Sequence, residues 1–470
     1  MIISHHSSQA GPFLQRSFWM REAEPALQAS APLTGSQAAD IVIIGGGYVG
    51  LWTALSIKEL SPHSKVVVLE RDVCGGGASG RNGGMAMSWW PKIASLLAFA
   101  DVDDALFLAR ARNAPSMKSH SSAAAIASMR TFAAGDGSGR PLPMRSRSHG
   151  RARVQACARV GARPFEHMLP EDVARRTGSR MHRAGVFERG NATVQPARLV
   201  RGMRRVALER GIVIHENTPV LELSHGYPAV IRSASGTILA KSVVLATNAW
   251  AAAIPEISRL IVPVNSSIVV TQAIPERLAA LGWTGGEAIT DSQLMVGYYR
   301  TTRDGRIAYG KGTGALSRGG VIDATFSRHE ESCLMAEQDF RRATDACRRA
   351  RLACVVGPID RTYDSLPVFG TLAGTGHIHY GVGWSGNGVA PSLLGGRILA
   401  SLALDRNDVW RRCALVDRKT KRFPPEPIKY FGGSLVRNAV RRKEEREARD
   451  LAPRWLDVLL AGFAPAGLED

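Results

Sequence analysis

The stretch ADIVIIGGGYVGLWTAL, beginning at Ala39, limits the possible folds more than any other part of the chain. Ile41 to Ile44 form a continuous apolar run, the pattern of a strand buried on both faces. Gly45, Gly47 and Gly50 follow at G-x-G-x-x-G spacing. The first glycine permits a tight turn, the second lets backbone approach a pyrophosphate, and the third lets a helix pack on the strand. A helix is expected from about Val49 to Leu60, its N-terminal amides and dipole directed at an anion. A second apolar strand, KVVVLE from Lys65, ends in Glu70, 20 residues beyond the last glycine. An acid there suits a ribose hydroxyl pair and argues against a 2′-phosphate, and so against NADP at this site.

The 470 residues allow two or three domains, and 48 glycines with 45% hydrophobic residues suit a glycine-rich α/β protein. The net charge of +19 admits an acidic partner, either nucleic acid or an anionic membrane surface. The basic residues are dispersed, however, and no nucleic-acid motif accompanies them, so neither partner is expected. No apolar run approaches the roughly 18 residues of a membrane span, and the N-terminus lacks the basic and apolar regions of a secretory signal. The six cysteines show no C-x-x-C pair and no metal spacing. Free thiols in a reduced, cytoplasmic protein without a metal are the simple expectation.

Between Arg71 and Pro91 lies RDVCGGGASGRNGGMAMSWWP, where backbone rather than side chains must approach something closely. Ala78 and Ser79 offer an amide and a hydroxyl, Arg81 a charge and Asn82 a carboxamide. A strand–turn–helix with G-x-G-x-x-G, a terminal Glu and then G-A-S-G-R-N-G-G resembles the D-amino-acid-oxidase-type FAD-dependent oxidoreductases. Within them the match is to the group similar to gamma-glutamylputrescine oxidoreductase. Two later blocks extend the resemblance over most of the chain. In GPIDRTYDSLPVFGTL, from Gly357, Asp364, Leu366, Pro367 and Gly370 match the D-x-L-P-x-x-G pattern. In HIHYGVGWSGNGVAPSLLGGRILASLAL, from His377, a second glycine turn feeds a helix that runs to about Leu404.

The resemblance implies an α/β fold, an FAD/NAD(P)-binding Rossmann-like domain with an inserted, mainly antiparallel α+β substrate domain. Residues 38–95, 185–260 and 357–410 would form the discontinuous FAD-binding domain. Residues 96–184 and 261–356 would form the substrate domain, and 411–470 a C-terminal extension. FAD would lie against Gly45, Gly47, Gly50, Glu70, Arg71, Ala78, Ser79, Arg81, Asn82, Gly83 and Gly84. Val220 would lie beside the adenine, and Ala246 and Thr247 would return the chain to the cofactor. Gly386, Asn387, Gly388 and Val389 would stabilise negative charge on the flavin pyrimidine. Tyr298, Arg300 and Trp384 are the substrate-binding candidates. A solvated Arg300 beside a core tyrosine is an equal reading of that strand.

The implied reaction oxidises the C–N bond of an amine or amino acid. A hydride passes to flavin N5, the imine hydrolyses, and oxygen or another acceptor takes the electrons. Such chemistry needs positioning and water exclusion rather than a strong base, and no catalytic residue is named. His377 and His379 lie on too apolar a strand. A gamma-glutamylputrescine-like amine is the first substrate, with sarcosine-like or D-amino acids next.

Other segments read differently. Residues 109–160 are rich in Ser, Arg, Ala and Gly with no clear period, which suggests a poorly packed loop or a local frame shift. Residues 340–356 raise the same question. A helix is expected from Pro170, another from Pro196 to about Arg210, and a third from Asp323 to about Leu352. Val262 to Gly319 should form antiparallel strands with a hairpin turn at Asp304-Gly305. The charge run from Val436 reads as a solvated helix with i,i+4 pairs. An NAD-dependent dehydrogenase would share only the first motif. A tRNA-modifying FAD enzyme or a degenerate, inactive homologue remain open on sequence alone.

Overall fold

The computed structural model describes residues 16–23, 28–110, 137–139, 147–179, 181–182, 184–291, 293–312, 314–344, 352–449 and 451–465. The strand Gly35–Ile44 sits inside the first sheet. It pairs in parallel with Val66–Leu69 on one side and Gly236–Leu245 on the other. The parallel order extends to Val213–His215 at one end and Ile378–Val382 at the other. Strand Val368–Thr371 adds an antiparallel edge.

Alternation explains why the apolar run is continuous. Ile41 and Ile43 pack with Leu51, Trp52 and Leu55 of the helix Tyr48–Leu60. Val42 and Ile44 face the opposite layer, where Val220, Leu223, Ala229 and Ile231 cover them. Burying both faces leaves no polar position from Ile41 to Ile44, whereas the exposed first half of the strand keeps Ser36 and Gln37. The expected strands around Thr237 and Val243 are one ten-residue strand. Its first half is half-exposed and alternates, whereas Val243 to Leu245 is buried on both faces. One strand therefore carries two sequence patterns.

A second eight-stranded sheet is mainly antiparallel, with one parallel pair between Gly137–Gly139 and Ile289–Thr290. Strands Gly297–Thr301 and Ile307–Lys311 form the hairpin expected at Asp304-Gly305, with Gly305 at φ 77°. Strand Gly185–Glu188 pairs within this second sheet. Strand Leu352–Arg361 pairs with Val262–Thr271 along ten residues and carries the chain past residue 357 toward the first sheet.

The structure corrects several expectations. The helix near Asp323 spans only Glu330–Ala343, and Leu352 opens a strand. Val355 and Val356 favour that strand, and Gly357-Pro358 could not sit inside a helix. Cys333 and Cys354 are joined in a disulfide across 21 residues, so the thiols are not all free. The pairing was invisible to spacing rules because it joins a helix to the strand it folds back on. Cys74, Cys157 and Cys413 are free and buried. Most of 109–160, and 345–351 of the second doubtful segment, lie outside the described residues. Residues Arg147–Arg159 nevertheless form a helix. Its buried Ala156 and Cys157 join the core containing Trp90, so small residues supply the apolar face that large aliphatics usually mark.

The C-terminal helix Ile428–Glu447 has the expected pairs, Arg441–Glu445 at 3.8 Å and Lys443–Glu447 at 3.0 Å. It is not only a solvated face. Ala439, Val440 and Glu444 are buried, and Met295 N donates to Glu444 Oε1 at 2.9 Å. Among the described residues no helix is long and apolar enough to cross a membrane.

Candidate active site

The first glycine turn is shaped by contacts within the chain. Gly45 has φ 115°, and a Cβ there would lie 2.5 Å from Ala246 O. A Cβ on Gly50 would lie 1.9 Å from Gly45 O. These two glycines let the helix start directly on the strand end. Gly46 N donates to Glu70 Oε2 at 2.8 Å, and Asp72 N donates to Oε1 at 3.0 Å. Glu70 thus closes the turn, and burial raises its pKa against those two amide bonds. The Arg71 guanidinium lies 4.5 Å from the Trp250 ring centroid.

The glycine-rich loop is held by its own polar side chains. Ser79 Oγ accepts from Tyr48 N at 2.9 Å, which ties the loop to the helix start. Asn82 Nδ2 donates to the carbonyls of Ala78 and Ser79, and its Oδ1 accepts from Gly84 N. Arg81 Nε donates to Gly76 O at 2.9 Å, and its Nη1 reaches Val356 O at 3.4 Å. Burial lowers the Arg81 pKa to about 10. Arg81 and Asn82 therefore spend these polar groups on main-chain atoms, which fixes the shape of the loop.

One cavity, about 1390 Å³ with its mouth, lies between this loop, the second sheet and the second glycine turn. Ala78, Ser79, Arg81, Asn82, Gly83, Tyr298, Trp384, Gly386, Asn387, Gly388 and Val389 all line it. Gly45, Gly47, Gly50, Glu70, Arg71, Gly84, Val220, Ala246, Thr247 and Arg300 do not. The helix starts before Tyr48–Leu60 and Pro391–Ala403 both open onto it, through Val49 and through Gly388 and Val389. Neither N-cap residue, Gly47 or Ala390, supplies a side-chain cap, although Ser79 Oγ takes the Tyr48 amide of the first helix. Such helix ends leave amide donors available for an anion or a dipolar ring edge.

The substrate candidates separate. Tyr298 shares a hydrogen bond with Ser266 Oγ at 2.9 Å, and burial pushes its pKa up to about 12. A Cβ on Gly310 would lie 2.1 Å from Tyr298 Cζ, and one on Gly83 would lie 3.1 Å from its Cε2. The ring therefore wedges between the loop and the neighbouring strand. Trp384 packs edge-on against Phe369, with centroids 5.8 Å apart. Arg300 points elsewhere. It is buried, and it donates to Gly83 O at 2.6 Å, Val194 O at 2.8 Å and Thr301 O at 3.2 Å. Neither the solvated nor the substrate-facing reading describes it. Alternation gives the face of a strand but not what that face meets. His379 is buried, and burial together with Arg411 lowers its pKa to about 4. His377 Nε2 lies 3.0 Å from Gly226 O.

Sequence reasoning missed Ser266 and Asp360, which also line the cavity, as does Asn248 just after the strand Gly236–Leu245. The one signal for Asp360 was an acid shortly after the apolar run Val355-Val356, four residues ahead of Asp364 in the segment that carries the D-x-L-P motif. Its carboxylate is completely buried, which raises its pKa to about 7 against the amide bonds it receives.

Comparison with known proteins identifies this arrangement. The model of the DAO family, described as FAD dependent oxidoreductase, matches residues 40–402. The chain belongs to this FAD dependent oxidoreductase family. Probable oxidoreductase OrdL of Haemophilus influenzae is 26% identical over 396 residues, covering 79% of this chain and 84% of that protein. Gamma-glutamylputrescine oxidoreductase of Escherichia coli is 26% identical over 400 residues, covering 83% and 89%. Among solved structures, glycine oxidase from Geobacillus kaustophilus superposes with a TM-score of 0.64 at 19% identity, over 79% of this chain and 96% of that one. L-proline dehydrogenase from P. horikoshii gives 0.60 at 18% identity, over 80% and 96%. This DAO-family chain is an FAD-dependent oxidoreductase acting on amines or amino acids. The two helix starts, whose N-cap residues Gly47 and Ala390 offer no capping side chain, and the glycine-rich loop fit a dinucleotide-linked flavin.

Proposed function

We propose that this enzyme oxidises a terminal amine that carries no carboxylate on the reacting carbon, a gamma-glutamylputrescine-like substrate. The observation that supports this is the engagement of the cavity arginines. A substrate α-carboxylate is best held by a two-pronged guanidinium. Arg81 donates to the carbonyls of Gly76 and Val356, and Arg361 makes a long contact, Nη2 to Pro465 O at 3.5 Å. Arg300 is occupied by three other carbonyls. The remaining wall is largely apolar, with Met85, Met87, Ile268, Leu294, Val296 and Ile359. An alkyl amine chain suits that wall. The resemblance in sequence to gamma-glutamylputrescine oxidoreductase points the same way.

The residues divide the work. The first glycine turn, Glu70 and the loop from Ala78 to Gly84 would hold the dinucleotide part of FAD, with Arg71, Val220, Ala246 and Thr247 around it. Gly386, Asn387, Gly388 and Val389 would face the ring. When bound, FAD supplies the hydride acceptor. Tyr298 and Trp384 would orient the substrate and exclude water. Among the described lining residues the titratable side chains are Tyr48, Arg81, Tyr298, Asp360 and Arg361. Tyr298 holds its proton to about pH 12, and Asp360 is committed to backbone amides. No side-chain base is therefore assigned, and the amine would react in its neutral form. The discontinuous division into FAD-binding and substrate parts is proposed on the same footing, with 185–188 grouped with the substrate sheet.

The test is a substrate panel. The kcat/KM for gamma-glutamylputrescine should exceed that for sarcosine, glycine and D-alanine by at least about tenfold, the effect of one well-placed charge-assisted contact. A preference for any of the amino acids would overturn the assignment.

A further inference from the structure

The structure assigns Asp360 as a positioning residue that pegs the second glycine turn to the FAD site; we infer that it sets the placement of the turn, and through it the hold on the flavin ring. The inference rests on the FAD reading of this cavity. Asp360 accepts three consecutive amides of the turn. Gly383 N donates to its Oδ2 at 2.7 Å, Trp384 N to its Oδ1 at 3.1 Å, and Ser385 N to its main-chain oxygen at 3.0 Å. Asn248 Nδ2 donates to Oδ1 at 3.1 Å from a third segment of the chain. Asp360 stands on the strand Leu352–Arg361 of the second sheet, the turn follows strand Ile378–Val382 of the first, and Asn248 follows strand Gly236–Leu245. One carboxylate therefore joins both sheets at the cavity.

Consecutive amides that converge on one anion form a concavity whose shape depends on that anion. The three amides before Gly386 are used internally. The amides of Gly386, Gly388 and Val389 come next in the chain, at the cavity wall. Moving the first three would move the others. The isosteric substitution Asp360→Asn leaves one acceptor oxygen where two amides and a carboxamide now converge, and turns an N–H toward another donor. A buried donor without an acceptor is costly. Asn248 has φ 50°, so Asn248→Gly removes only its carboxamide and suits that backbone.

The experiment uses the purified full-length holoenzyme, with Asp360→Asn and Asn248→Gly beside the wild type. Three quantities are read: the FAD dissociation constant from flavin fluorescence, the visible flavin spectrum, and the two-electron reduction potential. Asp360→Asn should weaken FAD binding by about tenfold or more and shift both spectrum and potential. Asn248→Gly should act in the same direction and more weakly. If Asp360→Asn does not fold, Asn248→Gly decides alone. Variants that match the wild type in all three readouts would overturn the inference. A change in thermal stability with an unchanged spectrum and potential would also overturn it, because that is the mark of a structural role only. A wild-type protein that cannot hold FAD would overturn the site reading beneath it, and the two failures are thus distinguishable.

Discussion

Glu216 is fully buried and is paired with two arginines beside the first sheet. Arg201 Nη1 lies 3.0 Å from Oε1 and Arg204 Nη2 lies 2.8 Å from Oε2. Cys74 N and Ser30 N donate to the same carboxylate at 2.7 and 2.6 Å. Burial pushes its pKa up, but the Arg204 bond and the two amides outweigh burial and hold it below its ordinary value. The stabilisation is therefore complete above the ordinary carboxylate pKa and is lost as pH falls through the lowered value. Glu216→Ala should cost about 3–5 kcal/mol in chemical denaturation at neutral pH, because two arginines would be left without their partner. A loss below about 1 kcal/mol, the range of an exposed pair, would contradict this account. Nothing in the sequence marks Glu216, since its four partners come from three separate segments. Glu70 was legible because a fixed distance from the glycines defines it, yet its bonds to the turn itself were not.

At the scale of elements, the two glycine turns and their helices were readable because glycine spacing reports backbone geometry directly. Strand Leu352–Arg361 was not readable, because a charged helix precedes it and its partner strand lies some ninety residues earlier in the chain. The C-terminal helix gives a test at this scale. Glu444 is buried beside Lys311 and accepts from Met295 N. Burial raises its pKa from 4.5 to about 7, although Lys311 and that amide pull it down. The folded protein then binds more protons than the unfolded chain between those values, so stability falls as pH rises through the window. Asp291 and Lys443 also act on this group, with opposite sign. Glu444→Gln should remove a slope worth on the order of 2 kcal/mol across pH 4.5 to 7. Denaturation curves of the two proteins that stay parallel throughout that window would contradict the assignment.

The whole molecule is built so that one cavity receives both glycine turns, the loop from Ala78 and the edge of the second sheet. The family and the α/β architecture were legible from three motifs spread from Ala39 to Leu404. The substrate side was less so, because it is made by tertiary contacts: Arg300 turned to carbonyls, Tyr298 wedged on Gly310, and Asp360 under the second turn. Each depends on strands that meet only after folding. The most direct test is the visible spectrum of the purified full-length protein, recorded before and after anaerobic addition of gamma-glutamylputrescine. The account predicts a flavin spectrum that is bleached by the amine. A colourless protein that cannot be reconstituted with FAD would contradict it.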